Sequence, residues 1–258
     1  MKITVLTENI CKSGNFSCEH GLSLYIETEK YNILFDMGQT SLFAENAERL
    51  GVNLADVHFA VLSHGHYDHG GGLAKFLDIN KTASVYISRH AFGNHFNGTE
   101  KYIGLDKSLK NNDRFVFTGD VCEISDGFTL YSCNENEKPY NLGSFGLTEK
   151  TDNGFIPDRF LHEQYLLIEE NGKKVLVSGC SHKGILNIAD WFDADVIVGG
   201  FHFSKLSLDD TLKGYAEILD GTGSQFYTCH CTGTEQYEFM KKHMKNLDYI
   251  SVGDTFTI

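Results

Sequence analysis

Short apolar or alternating runs recur along this chain, and many are followed by stretches whose apolar residues fall three and four apart. Residues 2–6 alternate and predict a strand, while residues 22–28 and 32–36 flank the polar Glu29-Lys30-Tyr31 and predict a hairpin. In residues 41–50 the apolar positions are Leu42, Phe43, Ala47 and Leu50, the spacing of an amphipathic helix. Residues 59–62 form a short apolar strand that runs into Ser63-His64-Gly65-His66-Tyr67-Asp68-His69-Gly70-Gly71-Gly72. A helix over 73–77 and a strand over 84–87 follow. The middle is less regular, with strands expected at 115–117 and 128–131. The last third returns to the earlier grammar. Strands at 165–169 and 174–177 surround Asn171-Gly172, a strong hairpin turn. Helices are predicted at 185–192, 208–219 and 235–244, and strands at 195–198, 225–228, 249–252 and 255–258.

Two halves of similar grammar predict an α/β architecture of two sheets packed face to face with helices outside. At 258 residues the chain fits one domain, 1–258. The segment 133–162 lacks periodicity and holds both prolines, Pro139 and Pro157. Loops this long in compact domains are usually functional, so an insertion around 133–163 is expected to act as a lid.

Composition narrows the function. A formal net charge of −13 argues against non-specific nucleic-acid binding and against a basic membrane-facing surface. It leaves room for an anionic small-molecule substrate, because a bound cation reverses the local field. The seven cysteines are odd in number and form no C-x-x-C pair, so reduced thiols in a cytoplasmic protein are expected rather than a disulfide framework. The N-terminal sequence lacks the apolar core of a signal peptide, and no apolar run approaches the ~20 residues that span a bilayer. The oligomeric state has no signature in the sequence.

The strongest chemical signal is the run His64-Gly65-His66-Tyr67-Asp68-His69. Neutral imidazoles and carboxylates are natural ligands for zinc and its neighbours. His64 and His66, two apart in extended backbone, point the same way and can share one ion. Asp68 and His69 lie where the chain turns into a helix and can address a second position. The competing reading is a polar surface loop with chance histidines; a strand before the run and a helix after it separate the two.

This run at a strand end resembles the HxHxDH signature of the metallo-β-lactamase superfamily, and the resemblance extends over nearly the whole chain. Residues 32–38, Asn-Ile-Leu-Phe-Asp-Met-Gly, are similar to the superfamily strand whose aspartate, here Asp36, supports the metal loop. The resemblance implies a four-layer αββα sandwich with metals at one edge. Glu19-His20-Gly21-Leu22-Ser23, Gly179-Cys180-Ser181-His182, Gly199-Gly200-Phe201-His202 and His230-Cys231-Thr232-Gly233 resemble one branch, which includes dihydropterin-ribofuranosylaminobenzene-phosphate synthases.

Most superfamily members add a middle histidine, a bridging aspartate and a final histidine. Cys180 stands at the apparent bridging position, either as a thiolate ligand or as an inert buried cysteine. His182 is the expected replacement ligand, against the alternative of a satisfied buried histidine. His230 resembles the final histidine, with Cys229 and Cys231 beside it as packing residues. His202 is open between ligand, acid–base group, substrate donor and core histidine. The branch resemblance places His20 at the same cleft. His162 reads as a surface residue of the long loop rather than the middle histidine. His58, His90, His95 and His243 read as surface or packing residues.

The resemblance therefore implies a metal-dependent hydrolase acting on an ester, lactone or phosphate-type small molecule. One or two divalent ions are expected, zinc by default, with manganese, iron, nickel or magnesium as substitutes. His64, His66 and His182 would hold one ion and Asp68, His69 and His230 the other, with Asp68 or His202 moving the proton. The alternatives are a pterin-transferring synthase of the resembled branch and a non-catalytic metal-binding sensor.

Overall fold

The structure, a computed structural model, describes residues 1–12 and 14–258. Side chains alternate across a strand, and here both faces of the central strands are apolar. In Asn32–Phe35, Ile33 and Phe35 join one buried cluster while Leu34 joins another. Phe59–Leu62 repeats this with Phe59 and Val61 against Ala60 and Leu62. In Lys173–Val177, Val175 and Val177 lie in the first cluster and Leu176 in a third. Each sheet is thus covered on both faces, as parallel strands require.

The first seven-stranded sheet runs Thr255–Thr257, Lys2–Thr7, Ser23–Glu27, Asn32–Phe35, Phe59–Leu62, Ser84–Ser88, Phe115–Thr118. The second, also seven-stranded, runs Leu247–Tyr249, Gln225–Thr228, Val196–Gly199, Lys173–Val177, Tyr165–Glu170, Phe128–Tyr131, Val121–Ser125. The inner cluster joins Ile3, Leu24, Ile33 and Val61 of the first sheet to Phe128, Leu166, Val175 and Val198 of the second. Helices Leu42–Arg49 and Leu73–Ile79 cover the outer face of the first sheet through Phe43, Ala47, Leu73 and Phe76. Ile185–Phe192, Asp210–Asp220 and Thr234–Met240 cover the second through Ile188, Leu212 and Met240. The result is the expected αββα sandwich.

The structure differs from the sequence expectation in three places. The segment 133–162 contains two paired strands, Leu147–Thr151 and Gly154–Pro157. They join His95–Asn97 and Lys101–Tyr102 in a separate four-stranded antiparallel sheet. These strands are almost entirely half-exposed or exposed, so they lack the apolar alternation that marks a core strand. Val121–Ser125, an edge strand with an exposed or half-exposed side-chain pattern, escapes for the same reason. The strand expected at 249–252 lies earlier, at Leu247–Tyr249, leaving Val252 in an isolated bridge to Cys11. Among the described residues no helix is long and apolar enough to cross a membrane.

Candidate metal centre

The candidate ligands arise at the C-terminal ends of parallel strands. Phe59–Leu62 leads to His64–His69, Lys173–Val177 to Cys180 and His182, Val196–Gly199 to His202, and Gln225–Thr228 to His230. Strand carboxyl ends are where open α/β sheets place their sites. Gly179 brings the halves together: a Cβ there would run into the Ser63 side chain.

Asp36 fixes the first loop. Fully buried, it accepts the Ser63 N–H and the Ser63 hydroxyl, both at 2.7 Å, and lies 2.6 Å from His69 Nδ1. The single Ser63 hydroxyl hydrogen is thereby committed, so Ser63 Oγ accepts from His64 Nδ1 at 2.8 Å. His230 Nδ1 donates to Asn9 Oδ1 at 2.8 Å, the same oxygen that accepts the Gly21 N–H. His64, His69 and His230 thus each carry hydrogen on Nδ1 and turn Nε2 inward, the arrangement by which outer carboxylates and amides orient metal-ligating imidazoles.

These inward nitrogens crowd. His69 Nε2 is 3.2 Å from His230 Nε2 and 3.2 Å from Cys180 Sγ, and His64 Nε2 is 3.3 Å from His182 Nε2. Asp68 Oδ2 lies 3.7 Å from His69 Nε2, 3.5 Å from His230 Nε2 and 3.2 Å from His20 Nε2. Facing lone pairs repel unless a proton or a cation lies between them. Burial lowers the pKa of His69, but Asp36 and Asp68 outweigh it and raise this imidazole to about 9. Burial, aided by neighbouring histidines, holds His64 and His182 well below the usual range. Burial also pulls His66 down well below it and lowers His230. Burial raises the Asp68 carboxyl, but the charge on His69 and the His20 and His230 imidazoles facing it hold it well below its ordinary value. Ionised carboxylate and neutral imidazoles are the protonation states that bind metal.

Donor atoms of His64, His66 and His182 lie within 4.8 Å of one another, as do those of His20, Asp68 and His230. Cys180 forms similar groups with His64 and His69 and with His202 and Cys231. Buried nitrogens His66 Nε2, His162 Nε2, His182 Nδ1 and His202 Nδ1 have no hydrogen-bond partner among the described residues. The donor set therefore fits divalent cations in number and type, with His64, His66, His182, His230 and Asp68 in the protonation states that bind metal and His69 holding a proton that an ion would displace. His202, with backbone φ of 56°, holds its ring 4.3 Å from that of His182 and 5.0 Å from that of Phe145.

A family model described as "Metallo-beta-lactamase superfamily" matches residues 17–218. The chain belongs to the metallo-β-lactamase superfamily. It is 27% identical to 7,8-dihydropterin-6-methyl-4-(β-D-ribofuranosyl)-aminobenzene-5′-phosphate synthase of Methanocaldococcus jannaschii, over 98% of this chain and 95% of that protein. An uncharacterised protein of the same organism is 26% identical over 97% of this chain and 98% of its own. Among solved structures, Tm1679, titled a metal-dependent hydrolase of the β-lactamase superfamily, superimposes with a TM-score of 0.85 at 28% identity, covering 100% of this chain and 99% of that one.

His162 is not the surface residue expected of it, and of the two roles expected for His95 the structure gives the packed one. Both are buried, their rings 3.9 Å apart, with Asp158. His162 Nδ1 accepts the Gly65 N–H at 2.9 Å, which leaves the hydrogen of a neutral ring on Nε2, 3.4 Å from Asp158 Oδ2. With its lone pair engaged on Gly65, His162 braces the metal loop. His95 Nδ1 meets the same Asp158 oxygen at 2.9 Å. Burial raises the Asp158 carboxyl, yet the His162 and His95 imidazoles facing it hold it far below its ordinary value. Asn9 and Cys231 were also missed. Cys231 lies in a motif that marks the branch, whereas Asn9 carries no signal in the sequence. Glu8, beside it, accepts the His230 N–H at 3.2 Å, and burial pushes its carboxyl up to about 7.

Proposed function

We propose that the protein is a metal-dependent hydrolase that uses activated water on an ester, lactone or phosphate-type bond of a small molecule. The observation that carries this reading is the convergence of buried donor atoms: those of His64, His66 and His182 lie within 4.8 Å of one another, and Asp68 Oδ2, His69 Nε2 and His230 Nε2 lie 3.2–3.7 Å apart. His64, His66 and His182 would hold one ion and Asp68, His69 and His230 the other, with His20 beside the second; Cys180, whose thiol burial pushes up, would add a soft thiolate donor only where an ion displaces its proton. Imidazole, carboxylate and thiol together favour zinc. Such ions lower the pKa of a water toward about 7 and polarise a carbonyl or phosphoryl oxygen.

The chain's own residues do the rest. Asp36, Ser63 and Asn9 keep the imidazoles in one tautomer. Asp68, whose Oδ2 is 3.2 Å from His20 Nε2, accepts the proton from water. His202, on the cavity wall with its Nδ1 unengaged, returns a proton to the leaving group. Metal analysis of the purified protein, with hydrolysis of 4-nitrophenyl acetate and bis(4-nitrophenyl) phosphate before and after chelation, tests the reading. Activity that vanishes with chelation and returns with zinc is expected; full activity in metal-free protein would sink it.

The curated synthase relative supports a second reading, in which the same centre transfers a pterin to an aminobenzene acceptor with release of pyrophosphate. Metal-loaded protein that releases no pyrophosphate from a pterin pyrophosphate would count against it.

A further inference from the structure

The sandwich supplies the ligands, but much of the wall above them comes from the small antiparallel sheet. A cavity of about 340 Å³ opens over Asp68, His182, His202 and His230. Asn97, Lys101 and Leu147 reach it from the strands His95–Asn97, Lys101–Tyr102 and Leu147–Thr151. Lys205, from the loop after His202, also lines it.

The charge of this wall opposes that of the molecule. The chain carries −13 overall, yet the cavity's described lining holds two lysines, Lys101 and Lys205, and a single carboxylate, Asp68. Asp68 is already surrounded by His20, His69 and His230. Neither lysine forms a carboxylate pair there: Lys101 Nζ lies 3.4 Å from the Tyr67 hydroxyl and 5.3 Å from the centre of its ring, and Lys205 Nζ donates to the Phe145 carbonyl at 3.0 Å. An ammonium has three donors, so each keeps donors for a ligand. Tyr67, Ile103 and Leu147 give the same cavity an apolar side.

We propose that the small sheet is the substrate-recognition wall, and that Lys101 and Lys205 select a small organic anion, a carboxylate or a phosphate ester, whose apolar part lies against Tyr67, Ile103 and Leu147. This rests on the hydrolytic reading for the fate of the substrate but not for its binding. The volume suits a small ligand rather than a polymer. Positive side chains at the cavity raise the local concentration of anions despite the chain's net charge of −13, and the attraction weakens with salt.

The test uses the full chain loaded with zinc. Binding of phenyl phosphate, benzoate and neutral benzyl alcohol is measured by calorimetry in the wild type, Lys101→Ala, Lys205→Ala and the conservative Lys101→Arg, at low and high sodium chloride. The expected result is that at least one anion binds more tightly than benzyl alcohol, that each alanine variant weakens it roughly fivefold, that Lys101→Arg retains it, and that salt weakens it. Which anion binds identifies the head group. Anion affinity unchanged in both alanine variants, meaning capture by zinc alone, overturns the proposal, as does benzyl alcohol binding as tightly as the anions. Turnover of 4-nitrophenyl acetate, a neutral ester, is followed separately, so that loss of the hydrolytic reading is distinguished from loss of anion selection.

Discussion

Ser63 has one hydroxyl hydrogen, and its donation to Asp36 fixes the tautomer of His64. The same economy governs His162, whose Nδ1 is engaged by Gly65 and therefore braces rather than binds. This distinction makes an unequal pair of outcomes. His182→Ala removes a donor from the His64–His66 group and is expected to lower bound metal by one ion per chain or to weaken that ion about 100-fold, read by elemental analysis and chelator competition. His162→Ala leaves the Gly65 N–H unpaired, costing about 1–3 kcal/mol of stability, while metal stoichiometry stays that of the wild type. His162→Gln, whose amide oxygen can accept the same hydrogen, is expected to recover part of that loss. Equal loss of metal in His182→Ala and His162→Ala would make His162 a ligand.

At the scale of elements, the strand ends set the precision of the centre. Gly199 ends Val196–Gly199 with φ of 143° and lies against the Ser178 backbone, where a Cβ would strike the Ser178 carbonyl. Gly199→Ala therefore has to displace the strand end that carries His202 from the one that carries Cys180 and His182. We expect a loss of about 1–3 kcal/mol in denaturant unfolding together with weaker metal binding; a wild-type melting curve and metal content would contradict this. The strands that build these ends were legible because Ile33-Leu34-Phe35 and Val175-Leu176-Val177 are apolar on both faces. The ligand loops were legible because histidines follow those strands directly. The small sheet was not, since Thr148, Glu149 and Phe155 follow no burial pattern that a sequence scan detects. Asn9 and the His95–Asp158–His162 group were illegible for another reason: their partners lie 221 and 63 residues away in the chain.

For the whole molecule, the buried histidines make the metal-free protein acid-sensitive. His64, His66, His162, His182 and His230 have folded pKa values below the ordinary 6.5, so as pH falls through 6.5 the unfolded chain takes up protons that the folded chain refuses, and stability falls. Glu8, raised from 4.5 to about 7, acts in the opposite sense between those values but is one group against these five imidazoles. His69, raised to about 9, contributes stability that is complete below pH 6.5 and is lost as pH rises through 9. Chemical denaturation of chelated protein is thus expected to show maximal stability near pH 6.5–7. Saturating zinc should add stability through preferential binding to the folded state and reduce the alkaline loss, since an ion replaces the proton on His69. A metal-free profile that rises steadily toward pH 5 would contradict the protonation states assigned to these imidazoles.

The most direct measurement of the central claim is anomalous diffraction at the zinc edge from crystals of the zinc-loaded protein. The account predicts density within about 2.0–2.3 Å of donors from His64, His66 and His182, and at a second position of donors from Asp68, His69 and His230. An ion held instead by His66, His95, His162 and Asp158, or no ion at either predicted position under saturating zinc, would contradict it.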